Sequence, residues 1–141
     1  MPYNILVVDD SSSMRKVLKK TIIMCGIGEI NFSEAGNGKE ALEVISKEWI
    51  DVIFTDLNMP IMSGYELVSA LRNDESVNHT PIIVVTSDTN AENSEEVVKS
   101  NIKHIIYKPF RPEEVRTLLL NLLGMEDMPN EENSDSEGLD F

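Results

Sequence analysis

Acidic side chains follow two apolar segments of the chain, at the point where each segment ends. Asp9 and Asp10 come directly after residues 4–8, and Asp56 follows residues 52–55. Both segments are continuously rather than alternately apolar, which indicates strands buried on both faces of a parallel sheet. We therefore expect the three carboxylates to lie where buried strands give way to loops.

Two further polar residues end apolar segments in the same way. Thr86 closes the segment 82–86, and Lys108 follows the segment 104–107. In an open α/β sheet, ligands bind outside the carboxyl ends of the strands. The sequence therefore predicts that a hydroxyl and an ammonium group join the three carboxylates at one edge of the sheet.

This combination of side chains indicates phosphoryl chemistry. Two unit charges about 4 Å apart repel by roughly 4 kcal/mol at an effective dielectric near 20, so three clustered carboxylates call for a cation. Oxygen ligands of this type suit Mg²⁺, and a lysine suits a phosphoryl oxygen. A single Asp at a strand end is more often a helix cap, so the assignment depends on the whole set. The set predicts Mg²⁺-dependent phosphoryl transfer to an Asp nucleophile.

Helical segments alternate with the strands and must position these residues. The apolar spacing predicts helices over about 12–25, 39–47, 64–72 and 94–100, and a last one that begins at Pro112. Ser63 and Glu66 have the spacing of a capping box. Residues 29–35 contain a further strand, with Ile30 and Phe32 on one side. Five strands alternating with five helices predict an α/β fold with helices on both faces of a parallel sheet. The predicted buried positions include Val17 and Leu18 in the first helix, Val97 and Val98 in the fourth, and Leu118, Leu119, Leu122 and Leu123 in the fifth.

Composition limits the class of protein. A length of 141 residues suggests one domain, and the only cysteine, Cys25, permits no internal disulfide. The sequence has no apolar run of membrane-spanning length and no signal peptide, so we expect a soluble, cytoplasmic protein without membrane insertion. The net charge of −13 argues against a nucleic-acid partner.

The acidic charge is unevenly distributed. Residues 125–141 contain seven acids and no Lys or Arg, and they show no hydrophobic period. Such a segment cannot bury enough apolar surface to fold, so it is predicted to be a disordered tail that follows a domain of residues 1–124.

The motifs VDD, TDLNMP, VVTS and YKPF occur in this order at the four strand ends. Together they resemble the receiver domain of two-component response regulators, over about residues 3–124. Among receivers, the residues around Asp10 and the Asn58-Met59-Pro60 segment are most similar to those of chemotaxis receivers. The resemblance implies a doubly wound (βα)5, flavodoxin-like fold with strand order 2-1-3-4-5.

The resemblance also implies roles at the metal site. Asp56 would accept a phosphoryl group from a phosphohistidine of a sensor kinase. Asp10, Asp56 and the backbone carbonyl of Asn58 would bind Mg²⁺ directly, and Asp9 would act on the metal through water.

Further roles follow from the same resemblance. Lys108 would contact the phosphoryl oxygens and precede a cis proline, Pro109. Thr86 would move inward to bind the phosphoryl group and start the rearrangement of the output face. Asn58 and Asp88 occupy positions that tune self-dephosphorylation in the family.

One departure from the family concerns the switch. The position three residues before the lysine is usually aromatic, and here it is Ile105. Tyr107 should point to the same side of the sheet, because alternate residues of a strand share a face. Which of the two takes part in switching is left open.

The expected function is that of a stand-alone response regulator that is no enzyme beyond phosphorylating and dephosphorylating itself. Its partners would be a sensor histidine kinase, an output protein such as a motor switch, and a possible phosphatase. One alternative is a phosphorelay shuttle that passes phosphate to a histidine phosphotransfer protein. Another is a Mg²⁺-dependent phosphatase of the haloacid dehalogenase type, but that family places an acid where this chain has Asn58.

Overall fold

The computed structural model describes residues 2–125 of the chain. A single five-stranded parallel sheet has the order β2-β1-β3-β4-β5, which confirms the predicted topology. Its strands are β1 (Tyr3–Val8), β2 (Ile30–Ala35), β3 (Val52–Thr55), β4 (Ile82–Thr86) and β5 (His104–Tyr107). The predicted acidic tail lies outside the described residues, except for Met125.

Five helices connect or follow the strands. They are α1 (Ser12–Met24), α2 (Gly38–Lys47), α3 (Gly64–Arg72), α4 (Glu95–Lys99) and α5 (Pro112–Leu122). The predicted capping box is present at α3, where Ser63 Oγ accepts from Glu66 N and Glu66 Oε1 accepts from Ser63 N. A 3₁₀ turn over Ala91–Asn93, which the sequence did not predict, precedes α4. Between residues 2 and 125, no helix is long and apolar enough to cross a bilayer.

The sheet separates two hydrophobic layers. Val7, Phe54 and Val85 face the layer that α1 and α5 cover, and Leu6, Ile53 and Val84 face the layer of α2, α3 and α4. All four residues of β3 are buried, because this strand has neighbours on both edges and helices on both faces. Helices therefore cover both faces, as predicted, and the central strand ends at Asp56.

Two predicted core positions on α1 and α4 are wrong. Val17 is 48% exposed and Val98 is 62% exposed, although each was expected to face the core. On α1 the buried stripe runs through Leu18 and Ile22, and Val17 falls outside it. The α4 helix is only five residues long, so a single position, Val97, is buried.

The buried face of α5 also differs from the prediction. Val115, Leu119 and Leu120 are buried, whereas the expected Leu118, Leu122 and Leu123 are only partly covered. Val115, Leu119 and Leu120 occupy positions i, i+4 and i+5 and face the sheet. The predicted buried stripe was therefore rotated about the helix axis relative to the observed one. Met125, assigned to the tail, packs on the domain, where its amide donates to Leu120 O at 2.8 Å.

Candidate functional site

Asp9 is fixed by the start of α1 and by Lys108. It follows β1 directly and is 2% exposed. Its Oδ1 accepts from Ser11 N at 2.9 Å, and its Oδ2 accepts from Lys108 Nζ at 2.9 Å. Ser11 is in turn the N-cap of α1, with its hydroxyl accepting from Met14 N. Both oxygens of this buried carboxylate are thus oriented by hydrogen bonds, one from the start of α1 and one from Lys108.

Asp56 lies at the end of the central strand and is 8% exposed. Its Oδ1 accepts from Leu57 N at 2.6 Å, and its Oδ2 accepts from Lys108 Nζ at 3.0 Å. The Thr55 hydroxyl donates to the Asp56 carbonyl at 2.7 Å. The carboxylate is therefore directed by its own loop and by a lysine that is distant in sequence.

The start of α3 presses against the backbone of Asp56. Gly64 N donates to Leu57 O at 2.8 Å, and a Cβ built at Gly64 would lie 1.9 Å from Asp56 O. Only a residue without a side chain allows the helix to come this close. Gly64 consequently sets the path of the loop that carries Asp56.

Lys108 connects the two buried carboxylates. Its backbone amide donates to Thr86 O at 2.8 Å, and its Nζ contacts both Asp9 and Asp56. Burial lowers the pKa of Lys108, but the hydrogen bonds and negative charges of Asp9 and Asp56 outweigh it, so the pKa lies above its ordinary value. The ammonium is held in its charged form at the point where the strand ends converge. The Lys108–Pro109 peptide bond is cis, as the resemblance implied.

Asp9, Asp10 and Asp56 form a group with the donor chemistry of a metal site. Each offers a carboxylate oxygen, and these oxygens lie within 4.8 Å of one another. Asp10 is exposed, so the group is open to solvent on its side. An all-oxygen set that combines buried and exposed carboxylates fits a hard cation that keeps several waters, which is how Mg²⁺ binds. Asn58 lies two residues beyond Asp56 in an exposed part of the same loop.

Thr86 and Asp88 are linked to each other and to α3. Thr86 is fully buried, and its Oγ1 accepts from Asp88 N at 3.1 Å. The phenol of Tyr65 on α3 donates to Asp88 Oδ2. This hydrogen bond holds the pKa of the Asp88 carboxyl below its usual range. The structure thus places Asp88 beside Thr86, but its carboxylate is directed toward Tyr65.

Ile105 and Tyr107 lie on the same face of the sheet, as expected. Both are partly buried and pack against the layer that includes Val84 and Val97. Tyr107 is the register partner of Thr86, and its hydroxyl donates to Glu92 Oε1 at 2.7 Å. The aromatic side chain therefore connects β5 to the segment that follows β4.

Three contributors to the site were absent from the sequence prediction. Arg15 Nη1 donates to the Asp9 carbonyl at 2.6 Å, while its Nε pairs with Glu34 on β2 at 2.8 Å. Gly64 lets α3 approach the backbone of Asp56, and Tyr65 donates a hydrogen bond to Asp88. Nothing local in the sequence reveals these contacts, because each joins residues from different elements. The capping box that begins at Ser63 did place the start of α3 correctly.

The chain is similar in sequence to known response regulator receiver domains. Residues 5–120 match the family described as response regulator receiver domain. A chemotaxis protein CheY homolog of Campylobacter jejuni is 37% identical over 121 residues, which cover 85% of this chain and 92% of that protein. Chemotaxis protein CheY1 of Helicobacter pylori is 36% identical over 124 residues, which cover 87% and 98% respectively.

Solved structures show the same likeness. The chemotaxis response regulator CheY4 of Vibrio cholerae superposes with a TM-score of 0.75 at 34% identity, covering 86% of this chain and 99% of that one. The receiver domain of the Francisella response regulator 1452 superposes with a TM-score of 0.74 at 31% identity, covering 86% and 97%.

Proposed function

The chain belongs to the family of response regulator receiver domains, and from this premise we propose that it accepts a phosphoryl group on Asp56. The donor is a phosphohistidine of a sensor histidine kinase. The phosphorylated protein then signals by binding a partner protein. Its only catalysis acts on its own phosphoryl group.

One observation carries the proposal. Lys108 Nζ bridges Asp9 Oδ2 and Asp56 Oδ2 at 2.9 and 3.0 Å, within a group of three carboxylates. A partly buried ammonium between two buried carboxylates supports a role for Lys108 in countering the charge of an added phosphoryl group. A nucleophile must also be positioned, and both Asp56 oxygens accept hydrogen bonds, Oδ1 from Leu57 N and Oδ2 from Lys108 Nζ.

In the proposed reaction, an Asp56 carboxylate oxygen attacks the phosphorus of the phosphohistidine. The new O–P bond forms as the P–N bond breaks, and the imidazole leaves with the bonding electron pair. Lys108 then pairs with a phosphoryl oxygen, and the Thr86 hydroxyl donates to another. Hydrolysis of the acyl phosphate by water restores Asp56 and releases phosphate.

The proposed metal is Mg²⁺, held by Asp10, Asp56 and the backbone carbonyl of Asn58, with Asp9 acting through water. When bound, it supplies positive charge that offsets the repulsion between the carboxylates and the incoming phosphoryl oxygens. The carboxylates themselves support this assignment, because one cation, Lys108, pairs with only two of the three within residues 2–125.

The proposed output is control of chemotaxis through a motor-switch partner. The names of the Campylobacter, Helicobacter and Vibrio relatives support this pathway. Tyr107 supports a route from site to surface, because it pairs in register with Thr86 and contacts Glu92. Titrating beryllofluoride-treated and untreated protein against a motor-switch protein, and against a histidine phosphotransfer protein, distinguishes this output from a phosphorelay.

Intact-mass spectrometry tests the proposal for Asp56. With acetyl phosphate and Mg²⁺, the wild type should gain the mass of a single phosphoryl group, and Asp56→Asn should gain none. Asp74→Asn is the matched control, because Asp74 is exposed and lies outside the site. Equal labelling of Asp56→Asn and the wild type would refute the assignment.

A further inference from the structure

A basic surface lies on the edge of the sheet opposite the candidate site. Two grooves of about 440 and 220 Å³ open there, where α3 and α4 end and β4 and β5 begin. Both are lined by Arg72, His79 and Asn101, so they form one continuous surface. Its basic residues, which we call the basic edge, are Arg72, His79, Lys99, Lys103 and His104.

The charge of the basic edge contrasts with the rest of the chain. The protein has 25 acidic residues against 12 Lys and Arg, yet no Asp or Glu lines either groove among residues 2–125. Lys103 is exposed and makes no ion pair within the described chain. Lys99 pairs with Glu95 at 3.1 Å, but both side chains are more than 70% exposed, so the pair neutralises little of its charge.

Arg72 is a fixed cation within this surface. Its Nε donates to Ser100 O at 3.2 Å, and its Nη1 donates to Asn78 O at 2.7 Å and to Thr80 O at 2.9 Å. All three acceptors are backbone carbonyls, and within the described residues no carboxylate pairs with the guanidinium. Because a guanidinium has five N–H donors, further donors are available to an acidic ligand.

The described part of the chain ends beside the basic edge. Leu122, at the end of α5, lines the smaller groove. Three residues later, Met125 is held on the domain by Leu120 and by the Tyr3 hydroxyl, which contacts its sulfur at 3.8 Å. Residues 126–141 therefore follow a helix whose end lines this surface, and a chain of that length reaches about 50 Å when extended.

The segment that follows has the complementary charge. Residues 126–132 contain four acids and no base, namely Glu126, Asp127, Glu131 and Glu132. Single exposed ion pairs contribute little, but several carboxylates tethered beside several cations act at high effective concentration.

We propose that residues 126–132 dock on the basic edge of their own chain, with their carboxylates pairing with Lys99, Lys103 and Arg72. The contact is electrostatic and therefore weakens as salt is added. Because it lies on the amino-terminal edge of the sheet, it leaves Asp56 and its neighbours open to a phosphodonor. The proposal does not depend on the phosphorylation of Asp56.

Paramagnetic broadening of amide NMR signals tests this contact in the full-length chain. A nitroxide is attached at Ser134→Cys in a Cys25→Ser background, where serine can keep the hydrogen bond to Thr21 O. At low salt, the amides of His79, Lys103 and His104 should broaden relative to the reduced label. The broadening should be lost at about 1 M salt, where the screening length is roughly 3 Å.

Two pairs of charge variants locate the contact. Lys99→Gln/Lys103→Gln should abolish the broadening, whereas Lys16→Gln/Lys20→Gln, which removes two exposed lysines of α1, should preserve it. Replacing the four acids of residues 126–132 with their amides should also abolish it. Amide replacements at Asp135, Glu137 and Asp140 should have little effect.

Several results would overturn the proposal. One is that no amide broadens selectively. Another is that the amides of α1 broaden in place of those of the basic edge. A third is that the broadening persists in Lys99→Gln/Lys103→Gln. A mixture of isotope-labelled wild type with unlabelled, nitroxide-bearing protein reports contacts between copies. Equal broadening in that mixture would assign the contact to a second copy and refute docking within one chain.

Discussion

The phenol of Tyr65 on α3 donates a hydrogen bond to the carboxylate of Asp88, which follows β4. Burial, together with this hydrogen bond and the charge of Asp88, raises the pKa of Tyr65 to about 12. The Asp88 amide donates in turn to the Thr86 hydroxyl. The helix after Asp56 and the strand end at Thr86 are therefore linked through a single residue.

Tyr65→Phe should release the Asp88 carboxylate from α3. Since the hydrogen bond lowers the pKa of Asp88, we expect this pKa to rise toward its ordinary value in the variant. Carboxyl ¹³C NMR titration measures the change, with Tyr3→Phe as the control. An Asp88 titration curve identical in Tyr65→Phe and the wild type would show that the hydrogen bond is absent in solution.

Glu34→Gln should lower stability in a pH-dependent way. Hydrogen bonds from Lys19 and Arg15 hold the pKa of Glu34 below its ordinary value. A lowered folded-state pKa stabilises the protein above the unfolded pKa of about 4.3, and the effect is lost as pH falls through the folded value. Because Glu34 is 38% exposed, we expect about 0.5 kcal/mol at pH 7.

Urea unfolding of Glu34→Gln and wild type at pH 7 and at acid pH measures this difference. Glu43→Gln, at an exposed position of α2, is the control for the loss of one negative charge. A difference in the free energy of unfolding that stays constant from pH 7 down to about pH 3 would argue against the ion pairs.

Asp10→Asn should separate metal binding from the stability of the metal-free protein. Removing one of three clustered carboxylates relieves repulsion, so the metal-free variant should be at least as stable as the wild type. Mg²⁺ at about 100 times its dissociation constant should stabilise the wild type by about 2.7 kcal/mol. Most of this gain should disappear in Asp10→Asn, as measured by thermal unfolding.

Asp74→Asn, outside the carboxylate group, should retain the full Mg²⁺ effect. A wild-type protein whose unfolding midpoint does not respond to Mg²⁺ would contradict the assignment of these residues to a metal.

Gly64→Ala should distort the Asp56 loop. A methyl group at this position would lie 1.9 Å from the Asp56 carbonyl oxygen, so the backbone must move. We expect a loss of about 3 kcal/mol in the free energy of unfolding, at the upper end for overpacking. At Gly36, an added Cβ would meet only the ends of two side chains, Glu40 Oε1 at 3.4 Å and Arg15 Nη1 at 3.9 Å, so Gly36→Ala should cost far less.

Local sequence signals were sufficient for the fold and for part of the site. Continuous apolar runs located β1, β3, β4 and β5. At the ends of three of these strands, Asp9, Asp56 and Lys108 come together as expected. This succeeded because a parallel sheet places the carboxyl ends of its strands on one edge, whatever the intervening sequence.

The remaining features depend on contacts between distant elements. Three contacts leave no periodic pattern in the sequence. They are the close approach of α3 at Gly64, the hydrogen bond from Tyr65 to Asp88 and the hydrogen bond from Arg15 to the Asp9 carbonyl. The rotation of the α5 stripe, which buries Leu120, is set by how the helix lies on the sheet. Spacing within one helix cannot supply that angle.

The most direct test of the central claim is to identify the residue that carries the phosphoryl group. Borohydride reduction converts an acyl phosphate to an alcohol, and peptide mass mapping then locates the modified residue. After phosphorylation in the presence of Mg²⁺, we predict modification of Asp56 in the peptide that contains residues 50–62, and at no other carboxylate. Modification at Asp9 or Asp10 instead, or none despite an active phosphodonor, would contradict the account.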